Sequence, residues 1–219
     1  MEASSAPSGR EFKDAVYAHF ARVAAGFGHP KRVEIIDVLS NGERSVESLA
    51  NAVSSSVANT SRHLQVLAGA GMVVRRAEGT TRIYSISDPR VAESYHRLVG
   101  LAEHRIADVA ALASSFFGAV DGSRPVTLAE LDQLAESGQV VVVDVRPENE
   151  FATGHLEGAI NIPVSELAER MAELPVGTPV VAYCRGPYCV MSAYAVRDLR
   201  AAGYQAVRLE DGFPELNAT

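Results

Sequence analysis

Cys184 and Cys189 are the only two cysteines in the chain, and they bracket the six-residue stretch CRGPYC. An apolar run, residues 180–183, precedes that stretch and a helical pattern from about Val190 follows it, so the stretch is a loop joining a strand to a helix. Such a loop can turn successive backbone N–H groups towards one sulfur, and the helix dipole adds partial positive charge. Both favour a thiolate. A free cysteine of pKa about 8.5 is only about 3% ionised at pH 7, and a helix N-terminus beside a cation, here Arg185, lowers that pKa by roughly a unit or more. Cys184, at the strand end, is expected to be the low-pKa thiol. Cys189, at the far end beside the helix, is placed to resolve whatever Cys184 acquires. Gly186, Pro187 and Tyr188 complete the loop. Two cysteines cannot build a disulfide framework, and an intracellular pair is more often catalytic, redox-active or metal-binding than structural.

Asp144, Arg146, Glu150 and His155 lie just beyond another apolar run and are expected to brace loops through ion pairs and hydrogen bonds, because exchange between thiols demands no distant base. A different chemistry concentrates in the first half. Arg62 to Arg82 holds four arginines and one glutamate, in a chain of net charge −7. The acid sits elsewhere: residues 1–118 carry 13 Lys+Arg and 12 Asp+Glu, whereas 119–219 carry 7 and 15. A polyanion responds to local charge, so the pI near 5.4 does not exclude one as partner. His104 and Asp108 are expected to share one helix face at i, i+4, but two ligands are too few for a tight zinc site. No metal and no cofactor is expected.

The elements that must position these residues follow from periodicity. Residues 11–27 space Phe12, Val16, Phe20, Val23 and Phe27 by about one helical turn. Pro30 opens a second helix that Asn41-Gly42 closes, and Ser45 caps a third carrying Val46, Leu49, Ala50 and Val53. A fourth runs over about 57–68 after the serines at 54–56, so two short helices meet across a tight turn. Residues 72–76 and 81–86 alternate as a β-hairpin about Glu78-Gly79. One long helix is expected from Pro89 to about Phe117, and its apolar stripe exceeds what a small domain covers alone. Residues 118–126 contain two Gly and a Pro with little apolar content, and 119–126 are read as a linker. Apolar runs at 140–145, 180–183 and 206–209 then alternate with helices at about 128–137, 164–173 and 190–202, the pattern of a parallel α/β sheet. In such sheets the loops at the carboxyl ends of strands carry ligands, and 144–146 and 184–189 both lie there.

Two resemblances attach to these residues. The run from His29 to Ser87, above all Ser61-Arg62-His63-Leu64, Val66-Leu67 and Gly71-Met72-Val73, resembles the ArsR/SmtB family of dimeric winged-helix repressors and extends over residues 10–118. That resemblance implies that the helix bearing Asn59, Thr60, Ser61, Arg62, His63 and Gln65 enters the major groove. It further implies that Arg75, Arg76 and Arg82 meet phosphates or the minor groove; Arg62 can equally brace the fold. Short polar side chains do reach base edges, and arginines neutralise phosphate. The family's paired cysteines are absent, Ser45 and Glu47 standing there instead. DVRPENEFATGHLEGAINIP, residues 144–163, is similar to the rhodanese signature, and CRGPYC stands where that family's active-site loop begins with its nucleophilic cysteine. The sixth loop position, usually basic in efficient sulfurtransferases, is Cys189, and the fourth is Pro187. The C-terminal region is reduced to Asp211-Gly212-Phe213-Pro214-Glu215-Leu216.

The expected architecture is therefore a tail (1–9), a mainly-α winged helix-turn-helix domain (10–118), a linker (119–126) and an α/β parallel-sheet rhodanese-like domain (127–219). The expected function is a transcriptional repressor responding to reactive sulfur by persulfidation of Cys184. Its expected partners are a double-stranded inverted-repeat operator, a second copy of itself, and a small persulfide, polysulfide or thiosulfate donor. A sulfurtransferase carrying a DNA-binding module, with weak turnover at Cys184, Arg185 and Cys189, is one alternative; a thiol sensor of arsenite or a soft metal is another. The small polar first nine residues carry no signal-peptide pattern, and no apolar run is long enough to span a bilayer, so a cytoplasmic protein without a membrane partner is expected.

Overall fold

The computed structural model describes residues 8–136 and 140–213, which fall into two compact units divided between Tyr95 and His96. The expected tail therefore lies outside the described residues up to position 7, as do Ser137 and the Pro214-Glu215-Leu216 stretch.

In the first unit the helices begin where a side chain can satisfy the orphan amides of a first turn. Ser8 and Glu11 form a reciprocal capping box on α1 (Gly9–Phe27), and His29 caps α2 (Pro30–Ser40), whose first residue is the tolerated proline. After the short β1 (Arg44–Ser45), Ser45 caps α3 (Val46–Ala52) and Ser56 caps α4 (Val57–Gly69). Gly71, at φ +74°, turns the chain into β2 (Val73–Glu78), which pairs antiparallel with β3 (Thr81–Ile86). Glu78 faces Thr81, so Gly79 and Thr80 alone make the turn. Strand β1 adds to the far edge of β3. Ile35, Ile36, Leu39, Leu49, Val53, Leu64, Leu67, Met72 and Tyr84 make one core, which is why α3 and α4 are held rigidly against the hairpin.

The single helix expected after Pro89 is two: α5 (Pro89–Arg105) and α6 (Ala107–Val120), broken at Ile106, whose backbone is extended at φ −120° and ψ 96°. His104 and Asp108 consequently belong to different helices and do not share an i, i+4 face. Unit 2 takes up the chain within α5. Residues 119–126 are anchored along their length. Asp121 is buried in an ion pair with Arg208, its carbonyl accepts from Arg200 at 2.8 Å, and Val126 bridges Leu209 in parallel.

Next come α7 (Leu128–Glu136), β4 (Val141–Asp144), α8 (Glu148–Phe151) and β5 (Ile160–Asn161). The helix expected over 164–173 is shorter, α9 (Leu167–Arg170) followed by one 3₁₀ turn, Met171–Glu173. Then come β6 (Val180–Tyr183), α10 (Val190–Ala201) and β7 (Ala206–Arg208). The sheet is all parallel in the order β5-β4-β6-β7. The chain leaves β4 for β5 on one side, then returns to place β6 on the other. That reversal opens a crevice at the carboxyl ends of β4 and β6, which the register sets level by pairing Asp144 with Tyr183.

Candidate functional site

Strand β6 is buried along its whole length and delivers Cys184 into the crevice at 2% exposure. Five residues later Cys189 stands at the N-terminus of α10, and the two cysteines are joined in a disulfide with their Cα atoms 6.2 Å apart. The loop is pinned at three places. Cys189 N–H donates to the Gly186 carbonyl at 3.0 Å, and Phe213 N–H donates to the Cys184 carbonyl at 3.1 Å. Gly212 packs directly on the loop backbone, where a Cβ would fall 2.1 Å from the Gly186 nitrogen. Only glycine fits there. Pro187 and Tyr188 face a cleft beside α6.

Arg185 is already paired. Its guanidinium forks onto the fully buried Glu150 carboxylate of α8, at 2.6 Å for the shortest of three contacts. The neighbouring cation expected to depress the Cys184 pKa is thus already neutralised, which leaves the backbone dipoles and the α10 N-terminus as the local positive potential.

Under the loop lies a second, fully buried pair, Asp144 and Arg146, in contact at 2.6 Å. Arg146 also donates to the Gly154 carbonyl at 2.8 Å and carries the Phe213 ring over its guanidinium at 4.6 Å. Burial works against the Arg146 charge, but hydrogen bonds from Arg146 to Asp144 and the charge of that carboxylate outweigh it and raise the pKa above the ordinary arginine value. Tyr183 accepts from Leu156 N–H at 3.1 Å, and burial followed by its hydrogen bond to Asp144 pushes the phenol well above its usual range. His155 stacks on Phe151 at 3.7 Å with its Nδ1 on the Phe151 carbonyl, so it braces α8.

In the first unit α4 presents Asn59, Arg62 and Gln65 to solvent, with Ser61 half-buried. Thr60 and His63, expected on the same outward face, instead turn inwards. Thr60 is fully buried, and the His63 ring lies 4.4 Å from that of His29. The reason is periodic: Thr60, Leu64 and Leu67, with His63 beside them, make the stripe of α4 that packs on the core. Burial, then the nearby charges of His29, Arg32 and Lys31, lower the His63 pKa.

The hairpin arginines also divide. Arg75, and Arg82 opposite Ala77, share one face of the ribbon, while Arg76 projects from the other and is tied to Glu43 and Glu78. Among the described residues no carboxylate engages Arg75 or Arg82. Glu43 carried no motif that could have announced this role, and Gly212 was visible only as part of a shortened C-terminal region. Among the described residues no group of three or more His, Cys, Asp or Glu side chains is arranged to hold a metal ion, and no helix is long and apolar enough to cross a membrane.

Known proteins resemble both units. The rhodanese-like domain family matches residues 127–219, and the bacterial regulatory protein, arsR family, matches residues 29–74. The HTH-type transcriptional regulator Rv0324 of Mycobacterium tuberculosis is 42% identical over 203 residues, which are 93% of this chain and 89% of that protein. The thiosulfate sulfurtransferase GlpE of Shewanella oneidensis is 30% identical over 87 residues, 40% of this chain and 84% of the enzyme. Among solved structures, the homodimeric winged helix-turn-helix DNA-binding domain of a possible ArsR-family regulator from Mycobacterium bovis is 32% identical with a TM-score of 0.43, covering 47% of this chain and 93% of that one.

Proposed function

This chain belongs to the ArsR family of transcriptional regulators and carries a C-terminal rhodanese-like domain, and from that premise we propose that it is a repressor whose operator affinity is set by reactive sulfur at Cys184. The carrying observation is that the only two thiols of the chain stand within bonding distance across the strand-end crevice, remote in sequence from every DNA-facing residue.

The chemistry balances without a cofactor. The Cys184 thiolate attacks the outer sulfur of a small persulfide, forming a new S–S bond. The donor's own S–S bond breaks and its thiolate departs. The Cys189 thiolate then attacks Cys184 Sγ, closes the disulfide and expels hydrosulfide. Both cysteines are oxidised, two electrons in all, and the transferred sulfur is reduced to sulfide.

The other half of the reading is a homodimer on an inverted repeat. Asn59, Ser61 and Gln65 would meet base edges, with Arg62, Arg75 and Arg82 on phosphates. Support for the dimer comes from α1, which leaves Phe12, Tyr17 and Phe20 more than 60% exposed.

Operator binding by fluorescence anisotropy before and after polysulfide, paired with intact mass, tests the mechanism. Cys184→Ser should bind DNA within a few-fold of wild type in reducing buffer and lose the response. Cys189→Ser should hold a persulfide on Cys184 without closing the disulfide, and respond more weakly. A Cys184→Ser protein that responds like wild type would refute the reading. Steady-state turnover with thiosulfate separates this regulator from a sulfurtransferase, the activity of the enzyme that the second domain resembles.

A further inference from the structure

Tyr188 is the residue immediately before Cys189, and its hydroxyl donates to Glu103 Oε1 at 2.6 Å. Glu103 lies in the last turn of α5, a helix that begins in the first unit, where Val91 and Tyr95 pack on the core containing Leu64 and Leu67 of α4. One hydrogen bond therefore links the thiol loop to the last turn of α5. It is a contact between a phenol and a carboxylate, the stronger, charge-assisted kind. Burial and then Glu103 push the Tyr188 pKa up to about 12, so the phenol remains a donor throughout the physiological range. Around this bond Pro187, Tyr188, Glu103, Phe117 and Arg208 line a cleft of about 530 Å³, which gives the tyrosine room to leave.

We propose that the Tyr188–Glu103 hydrogen bond couples the bond state of the Cys184–Cys189 pair to α5, held while the disulfide is closed and released when it opens. The inference rests on the regulatory reading above and names the contact through which it acts. Closing the disulfide fixes Cys189 against Cys184, and the Cys189 N–H to Gly186 carbonyl turn then leaves Tyr188 little backbone freedom. Opening it with dithiothreitol proceeds by two thiol–disulfide exchanges. The reductant ends as its cyclic disulfide, and Cys184 and Cys189 end as thiols or thiolates. Cys189 is then no longer tethered, and the residue before it moves with it. Glu103 and Tyr188 are positioning residues in this scheme; neither touches the reacting sulfurs.

The test is hydrogen exchange followed by mass spectrometry on the full-length protein, comparing the disulfide form, closed with diamide, with the dithiothreitol-reduced form. In wild type, reduction should speed exchange several-fold in the peptide covering residues 96–105. In Glu103→Ala that peptide should exchange fast in both forms, while intact mass shows the disulfide closing and opening as in wild type. Tyr188→Phe should reproduce the exchange result. Because diamide closes the disulfide without any sulfur donor, a failure of wild type to respond to polysulfide would sink the regulatory reading and leave this comparison intact. Equal exchange in the two wild-type forms would overturn the coupling, and so would a Glu103→Ala protein that still changed on reduction as wild type does.

Discussion

Arg185 shows how a neighbour changes what a residue can do. With Glu150 fully buried and the Arg185 side chain 14% exposed, their pair both spans α8 to the thiol loop and cancels the charge of the residue next to Cys184. Glu150→Gln keeps the volume and removes the charge. It should cost about 3 kcal/mol, since breaking one side of a buried pair leaves a charge uncompensated, and it should move Cys184 alkylation in the reduced protein to lower pH. Denaturant unfolding and the pH profile of alkylation read the two effects separately. His63 makes an opposite prediction at acid pH. Its pKa in the folded state lies below the unfolded value of about 6.5, so the unfolded chain binds its proton first. The contribution of neutral His63 is fully present above that unfolded value and is lost as pH falls through the lower folded one. Denaturant midpoints measured at pH 7.5 and 5 should fall for wild type and fall less for His63→Gln.

The β2–β3 hairpin is the element whose three arginines look alike in sequence and differ in the fold. Arg75 and Arg82 share a face, and among the described residues they meet no carboxylate; Arg76 must first leave Glu43 and Glu78 before it can reach a phosphate. Arg75→Ala and Arg82→Ala should therefore each reduce the slope of log affinity against log salt by about one unit, with Arg76→Ala changing it less. Anisotropy titrations over a range of salt decide this, and equal effects at all three positions would contradict the division. Helix α10 works on a different principle: its N-terminus, at Cys189, borders the thiol crevice, and its inner face, Ala193, Ala195, Val196 and Leu199, is fully buried and holds it there.

At the scale of the molecule, the exposed aromatic face of α1 asks for a cover. Phe12 and Phe20 are each 61% exposed and Tyr17 66%, more apolar surface along one helix than an isolated chain ordinarily leaves in water. A two-fold dimer would bury it and match an inverted-repeat operator. Phe20→Asp should yield a folded monomer by sedimentation at micromolar concentration, with operator affinity reduced at least tenfold. A monomeric wild type, unchanged on adding operator, would contradict the dimer. The two units also divide the charge: the acid of the chain belongs to the thiol-bearing half, and the near-neutral half carries the arginine-rich hairpin.

Local pattern determined a great deal here. The caps at Ser45 and Ser56, the proline opening α2, the alternation of the hairpin and the three apolar strands are written in spacing alone, because each answers to a period or a backbone constraint within a few residues. So is the placing of CRGPYC between a strand and a helix. What spacing could not supply was partnership between residues distant along the chain. Thr60 and His63 turned inwards because the packing of α4 on α2 and α3 decides which stripe of that helix is wet. Arg185 found Glu150 thirty-five positions away, and Gly212 met the loop backbone that it alone could approach. The break at Ile106 removed a helix face on which two side chains would have met. A periodic signal fixes which residues share a face of an element. Only the folding of elements onto one another decides which face is buried and which charges are cancelled.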